Sequence, residues 1–229
     1  MGGSGPCRYV EPVAFRVYGP KDGWGRSIAG AVRDGLRRTG TARSRGSDRA
    51  GRYGATEWRT GGRARLGSML IREAVAGDWP RIWPFWHRIV AAAESYAWDP
   101  DTSDEDARAL WMAPGKRVFV AEDEGSGAVV GSAYVTPNYG GPAADVANAG
   151  FMVDPDRTGQ GIGRALAEHI LRTAKADGYR AMVFNAVVET NPAVKLWTSL
   201  GFEVVGTIPE AFTHPTHGRV ALYVMHRTL

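Results

Sequence analysis

The sequence predicts one α/β domain over residues 69–229, built on a mixed central sheet with helices on its faces. Three observations predict it. Apolar patterns of strand and helix period follow one another in the order β-α-α-β-β-β-α-β-α-β-β. One strand stops at a glycine-rich turn from which a strongly periodic helix starts. And 229 residues, 44% of them hydrophobic and 10% aromatic, suffice for one core of ordinary domain size.

Met69 to Glu73 reads as the first strand. Asp78 is placed to cap a helix running to about Tyr96, with Pro80 suited to its first turn and Pro84 expected to kink it. Within it Trp79, Trp83 and Trp86 approximate helical spacing and read as packing, not as a ligand cage. A second helix spans Ser103 to Met112, with Glu105 and Asp106 favourable at its start and Pro114-Gly115 stopping it. Arg117 to Glu122 and Val129 to Thr136, joined through Gly125-Ser126-Gly127, read as a hairpin. Ala147 to Val153 is the next strand, followed by the glycine turn and a helix from about Gly161 to Ala176 that Gly178 ends. Arg180 to Asn185 is a strand, Asn191 to Leu200 a shorter helix closed by Gly201, and Val204 to Ile208 and Val220 to His226 are the last strands.

Residues 1–68 have a different grammar. They hold half of the 30 glycines and 14 Lys and Arg against five Asp and Glu, whereas residues 69–229 carry 14 against 19. The +4 net charge and the pI near 9.4 therefore belong to the N-terminal segment, which lacks sustained apolar periodicity. It reads as a largely disordered basic arm or a non-native extension, with one short helix expected around Ser27 to Arg38. A nucleic-acid partner is not expected. Cys7 is the lone cysteine, which excludes an intrachain disulfide and a thiolate metal cluster and fits a reducing cytoplasm. No run approaches the roughly 18 apolar residues of a membrane span, and no secretory h-region is present. The five histidines show no metal-ligand spacing, so no metal is expected; His169 reads as exposed on its helix, and His214 and His217 read as loop residues.

The stretch Val153-Asp154-Pro155-Asp156-Arg157-Thr158-Gly159-Gln160-Gly161-Ile162-Gly163-Arg164 carries the chemistry. Glycines at alternate positions let the chain turn tightly, and the helix that follows aims its free N–H groups outward, where they and the helix dipole can bind a pyrophosphate. A dinucleotide-binding fingerprint would need a third glycine where Arg164 stands and an acidic residue at the end of the next strand, which closes instead with Val183-Phe184-Asn185. A phosphate loop of the Walker type would need Gly-Lys-Ser/Thr, also absent.

Residues from Met69 to Leu229 resemble the GNAT family of N-acetyltransferases. The family's Gln/Arg-x-x-Gly-x-Gly/Ala signature falls on Thr158 to Gly163, with Thr158 departing from Gln or Arg; a second block falls on Asn191, Ala193, Trp197 and Leu200-Gly201-Phe202. The resemblance implies a GNAT fold and acetyl-coenzyme A as co-substrate. Its pyrophosphate would lie at Thr158, Gly159, Gln160, Gly161, Ile162, Gly163 and Arg164, its pantetheine arm beside Asn191 and Trp197, and its thioester oxygen at the N–H of Val153. Trp197 stands where family members often carry a proton-donating tyrosine, and an indole N–H is no acid at neutral pH. Pairing into a homodimer is common in similar proteins.

A narrower resemblance, on Pro137-Asn138-Tyr139, Asn148-Ala149-Gly150-Phe151, Val183-Phe184-Asn185 and Glu189-Thr190-Asn191, is to a yeast acetyltransferase acting on azetidine-2-carboxylate and related proline analogues. It implies that Asn148 and Asn185 handle the acceptor, a small amine such as an amino acid or its analogue. Glu94 to Asp99 is similar to a segment of phosphinothricin-type acetyltransferases, which makes Glu94 and Tyr96 acceptor-pocket candidates and a drug or herbicide amine the alternative acceptor. Glu94, Glu189 or a water chain would take the amine's proton, since asparagine cannot. The reading of another class is a non-catalytic coenzyme A-binding module.

Overall fold

A computed structural model describes residues 69–229; the basic arm and the helix expected at Ser27 to Arg38 lie outside the described residues. The chain forms β1 (Met69–Glu73), α1 (Trp79–Ala91), α2 (Asp104–Trp111), β2 (Arg117–Asp123), β3 (Val129–Pro137) and β4 (Val146–Val153). It continues with α3 (Ile162–Ala176), β5 (Ala181–Val188), α4 (Ala193–Ser199), β6 (Glu203–His214) and β7 (Gly218–Thr228). This is the expected order. The strands make one sheet, β1-β2-β3-β4-β5-β7-β6, antiparallel except where β4 meets β5.

Each face of the sheet carries its own core. Beneath α1 and α2, Val118, Val120, Tyr134 and Met152 pack against Trp79, Ile82, Phe85, Trp86 and Val90, which recur at helical spacing along α1. On the opposite face Ile162, Leu166, Ile170 and Ala174 of α3 and Trp197 of α4 pack on Ala133, Val135, Ala147, Ala149, Met182 and Phe184. The period-2 alternation of β4 thus sends Met152 to one layer and Ala147 and Ala149 to the other.

α1 passes through Pro84 without ending there, and stops at Ala91 instead of reaching Tyr96. Ala93 takes a positive φ of 53°, which ends the helix and turns Tyr96 and Trp98 back onto the sheet. Trp98 stacks on Trp86 at 5.4 Å between ring centroids and on Tyr96 at 4.6 Å. β6 and β7 run well beyond the expected spans, and their hairpin draws in His214 as the last residue of β6, 7% exposed. Its Nδ1 accepts the N–H groups of Thr216 and His217 at 3.2 and 3.3 Å. His169, expected on an exposed face, is partly buried with its ring edge-on to Phe119 at 4.9 Å.

Asp78 stands at the N-cap of α1, yet its carboxylate serves the tertiary structure. Its oxygens accept from Arg72 Nη1 and Nη2 at 2.7 and 2.8 Å and from the Val75 N–H at 2.9 Å, and the residue is 2% exposed. The Arg72 guanidinium, chiefly, holds its pKa at about 2, below the ordinary 3.8. Linkage makes the ionised state worth about 2 kcal/mol. Because the folded pKa is the lower one, that stability is present above pH about 4 and disappears as pH falls through about 2. Asp78→Asn is expected to lower urea-unfolding stability by about 2 kcal/mol at pH 7, the difference from wild type shrinking toward pH 2.

Candidate active site

β4 and β5 pair only at Val146 with Ala181 and Ala147 with Met182, and then separate. The far edge of β4 stays bound to β3 as far as Gly131 and Val153, with the Asp154 N–H on Val130 O at 3.0 Å. Backbone groups alternate along a strand, so Phe151 and Val153 turn their amides away from β3 and into the gap. Tyr96, on the loop after α1, reaches this edge: the Phe151 N–H donates to its hydroxyl oxygen at 3.1 Å, and the hydroxyl donates to Phe151 O at 2.8 Å. Burial, followed by the neighbouring Tyr134, raises the Tyr96 pKa, which keeps the phenol a neutral hydrogen-bonding group.

At the C-terminal end of β4 the glycine turn leads into α3. Gly159 and Gly161 hold φ at 75° and 83°, the left-handed region, and a Cβ at either would meet nothing within 4 Å. The Ala165 N–H bonds back to Gly161 O at 3.0 Å, so those of Ile162, Gly163 and Arg164 precede the helical ladder. Gly163 is helical, and a Cβ there would lie at an ordinary contact distance of 3.7 Å from Leu196 and Val153. Asp156 on the turn is held to α1 by Arg88 in a two-pronged pair at 2.9 and 3.0 Å.

The side chains around this turn are largely engaged. Thr158 Oγ1 donates to Pro155 O at 3.2 Å, and Arg164 Nη2 donates to Ser199 Oγ at 2.8 Å with Glu168 at 3.7 Å. Gln160 is partly exposed, while Ile162 is 3% exposed and faces the core. Open space before a helix start, flanked by glycines and backbone N–H donors, fits a pyrophosphate held mainly by main chain. The second family block supports the gap from behind. Asn191 Oδ1 accepts the Ala193 N–H at 2.9 Å and so begins α4, and Trp197, 7% exposed, packs on Phe151 at 4.8 Å and Phe184 at 4.9 Å.

Where the gap begins, on the α1 and α2 face, three asparagines meet. Asn138 Oδ1 accepts from Asn148 Nδ2 at 3.0 Å and from Asn185 Nδ2 at 2.7 Å, and Asn138 Nδ2 donates to Asn185 Oδ1 at 3.2 Å. Asn185 sits in a bulge of β5, where the pairing with β7 shifts between Phe184 and Val187. Beside the cluster, Tyr134 lies over Gly150 and meets Trp111 edge-on at 4.9 Å, and Lys116 Nζ sits 4.1 Å from the Tyr134 ring centre. Burial lowers the Lys116 pKa to about 8. A Cβ on Gly150 would overlap the Tyr134 ring, so Gly150→Ala is expected to lower unfolding free energy by about 2 kcal/mol in urea titration. Of the candidate carboxylate bases, Glu94 is exposed on the loop after α1, and Glu189 Oε1 accepts the Ala221 N–H at 2.8 Å.

The structure places Asn148, Asn185, Tyr96 and Val153 along one gap, with the glycine turn at its far end. The sequence passed over Asn138 as a candidate site residue. Asn138 stands in the Pro137-Asn138-Tyr139 stretch, but only the fold shows that its side chain bridges the other two.

Residues 83–202 match the acetyltransferase (GNAT) family. The chain belongs to this family. A GNAT protein of known structure, a GCN5-related N-acetyltransferase from Kribbella flavida, is 55% identical, with a TM-score of 0.68 over 70% of this chain and 98% of that one. The N-acetyltransferase aca1 of Schizosaccharomyces pombe is 38% identical over 98 residues, 42% of this chain and 47% of the relative. A GNAT phosphinothricin acetyltransferase (Pat) from Sinorhizobium meliloti, solved in complex with AcCoA, is 26% identical, with a TM-score of 0.62 over 70% of this chain and 88% of that one. The chain spans about half or less of the length of the first curated relatives it matches.

Proposed function

We propose that residues 69–229 transfer an acetyl group from acetyl-coenzyme A to the amine of a small molecule bearing a carboxylate, an amino acid or an amino acid analogue. The observation that carries this reading is the gap between β4 and β5: it has the glycine turn of α3 at one end and the three linked asparagines at the other. Membership in the GNAT family and the AcCoA complex of the Sinorhizobium enzyme support the choice of co-substrate. Phosphinothricin, in that enzyme's name, is itself an amino acid analogue, so the herbicide amine and the amino acid share the chemistry this site would recognise.

In this reading the N–H groups of Gly161, Ile162, Gly163 and Arg164 hold the pyrophosphate, with the charge of Arg164 at its edge. Bound there, acetyl-coenzyme A supplies the activated acetyl thioester. Val153 offers its N–H to the carbonyl oxygen as negative charge develops, a donor fixed in place before the reaction. Asn148 and Asn185 orient the amine and the carboxylate of the acceptor, while the ring of Trp197 behind Phe151 keeps the β4 edge firm. Tyr96 closes the loop after α1 over the same edge.

Among the described residues no group of three or more His, Cys, Asp or Glu is placed to hold a metal ion, and no helix is long and apolar enough to cross a membrane. Direct transfer calls for both substrates at once. Initial velocities measured with acetyl-coenzyme A and azetidine-2-carboxylate varied together are expected to give intersecting reciprocal plots; parallel plots would mean an acetylated enzyme and contradict the mechanism.

A further inference from the structure

We propose that Asn138 is a positioning residue that sets how the acceptor is held, a reading that rests on the acetyltransferase function above. Each asparagine amide offers an oxygen with two lone pairs and a nitrogen with two hydrogens. The Asn138 oxygen is filled by Asn148 Nδ2 and Asn185 Nδ2, and the Asn185 oxygen takes the Asn138 Nδ2 donor. These bonds couple the three amides, so that none turns over without the other two. An amide is planar with its oxygen and nitrogen diverging from one carbon, so turning Asn148 Nδ2 toward Asn138 points Asn148 Oδ1 in a different direction.

The cluster therefore presents one kind of group at each end. Asn148 Oδ1 faces outward as an acceptor, suited to an amine N–H, and this leaves the nitrogen lone pair free for the carbonyl carbon. The second N–H of Asn185 is a donor, suited to a carboxylate. Asn148 and Asn185 alone could rotate independently; Asn138, reaching both from the end of β3, makes them turn together. Its backbone is fixed independently, since the Asn138 N–H donates to Val146 O at 2.7 Å. The site then selects a primary or secondary amine with an anionic group beside it.

The test uses the full chain, acetyl-coenzyme A, and azetidine-2-carboxylate and its methyl ester as acceptors. Asn138→Ala is expected to raise the KM for azetidine-2-carboxylate about tenfold, with kcat changed less and acetyl-coenzyme A affinity by calorimetry unchanged. In an Asn148→Ala background the same substitution is expected to raise KM by clearly less than it does alone, because one of the two amides that Asn138 orients is already gone. Asn138→Asp keeps an acceptor for the two amides but places a negative charge by the acceptor's carboxylate, so it is expected to shift preference toward the ester. A wild-type KM in Asn138→Ala, an undiminished effect in the Asn148→Ala background, or an unmoved acid-to-ester preference in Asn138→Asp would each overturn the proposal. Absence of thiol release by the wild-type chain with both acceptors and phosphinothricin would instead remove the function it rests on, and the proposal with it.

Discussion

Gly161→Glu is expected to abolish acetyl-coenzyme A binding, with no heat of binding in a titration where the wild-type chain saturates. Three effects add. Gly161 holds a φ of 83° at the start of α3, a conformation that puts a side chain under roughly 1–2 kcal/mol of strain. The space in front of it is open, with nothing within 4 Å of an added Cβ, and that is the space a pyrophosphate would use. A carboxylate there also sets like charge against like at the positive end of the helix dipole. Gly163→Ala is the control. Its backbone is helical and its Cβ would meet Leu196 and Val153 at an ordinary 3.7 Å, so affinity is expected to stay within a few-fold of wild type. Unchanged affinity in Gly161→Glu would mean that this turn is not the phosphate site.

Asn148→Ala is the second large effect. It removes the amide that faces the gap between β4 and β5 and also a donor to Asn138 Oδ1, so the acceptor loses both a contact and the order of the cluster. A drop of about 10²-fold in kcat/KM is expected, the loss of one or two hydrogen bonds that orient the reacting nitrogen. Acetyl-coenzyme A affinity is expected to hold, because the glycine turn lies at the other end of β4. Loss of cofactor affinity along with rate would point to a collapsed sheet edge, and an unchanged rate would exclude Asn148 from acceptor handling.

The fold was legible in the sequence wherever local rules and tertiary packing agree. The apolar face of α3 and the glycine turn before it are written in spacing alone, and so is the hairpin at Gly125-Ser126-Gly127. Propensity overreached at the end of α1, where the loop carrying Tyr96 and Trp98 is drawn down by stacking on Trp86, a contact that no local pattern encodes. It fell short at β6 and β7, whose extra length comes from pairing with each other and from a small satellite core of Val188, Phe212, Val220 and Leu222. For the candidate site, spacing located residues along the chain and left side-chain direction open. Thr158, Arg164 and Asn191 sit at the turn and at the start of α4 as spacing required, yet their polar groups bond within the protein. The three-way link through Asn138 joins residues on different elements, and sequence separation hides it.

The most direct test of the central claim is thiol release from acetyl-coenzyme A by the full chain, measured against azetidine-2-carboxylate, L-amino acids and phosphinothricin. Release that depends on a carboxylate-bearing amine and is lost in Gly161→Glu is the expected result. Saturable binding of acetyl-coenzyme A with no release above the acceptor-free rate across that panel would contradict it.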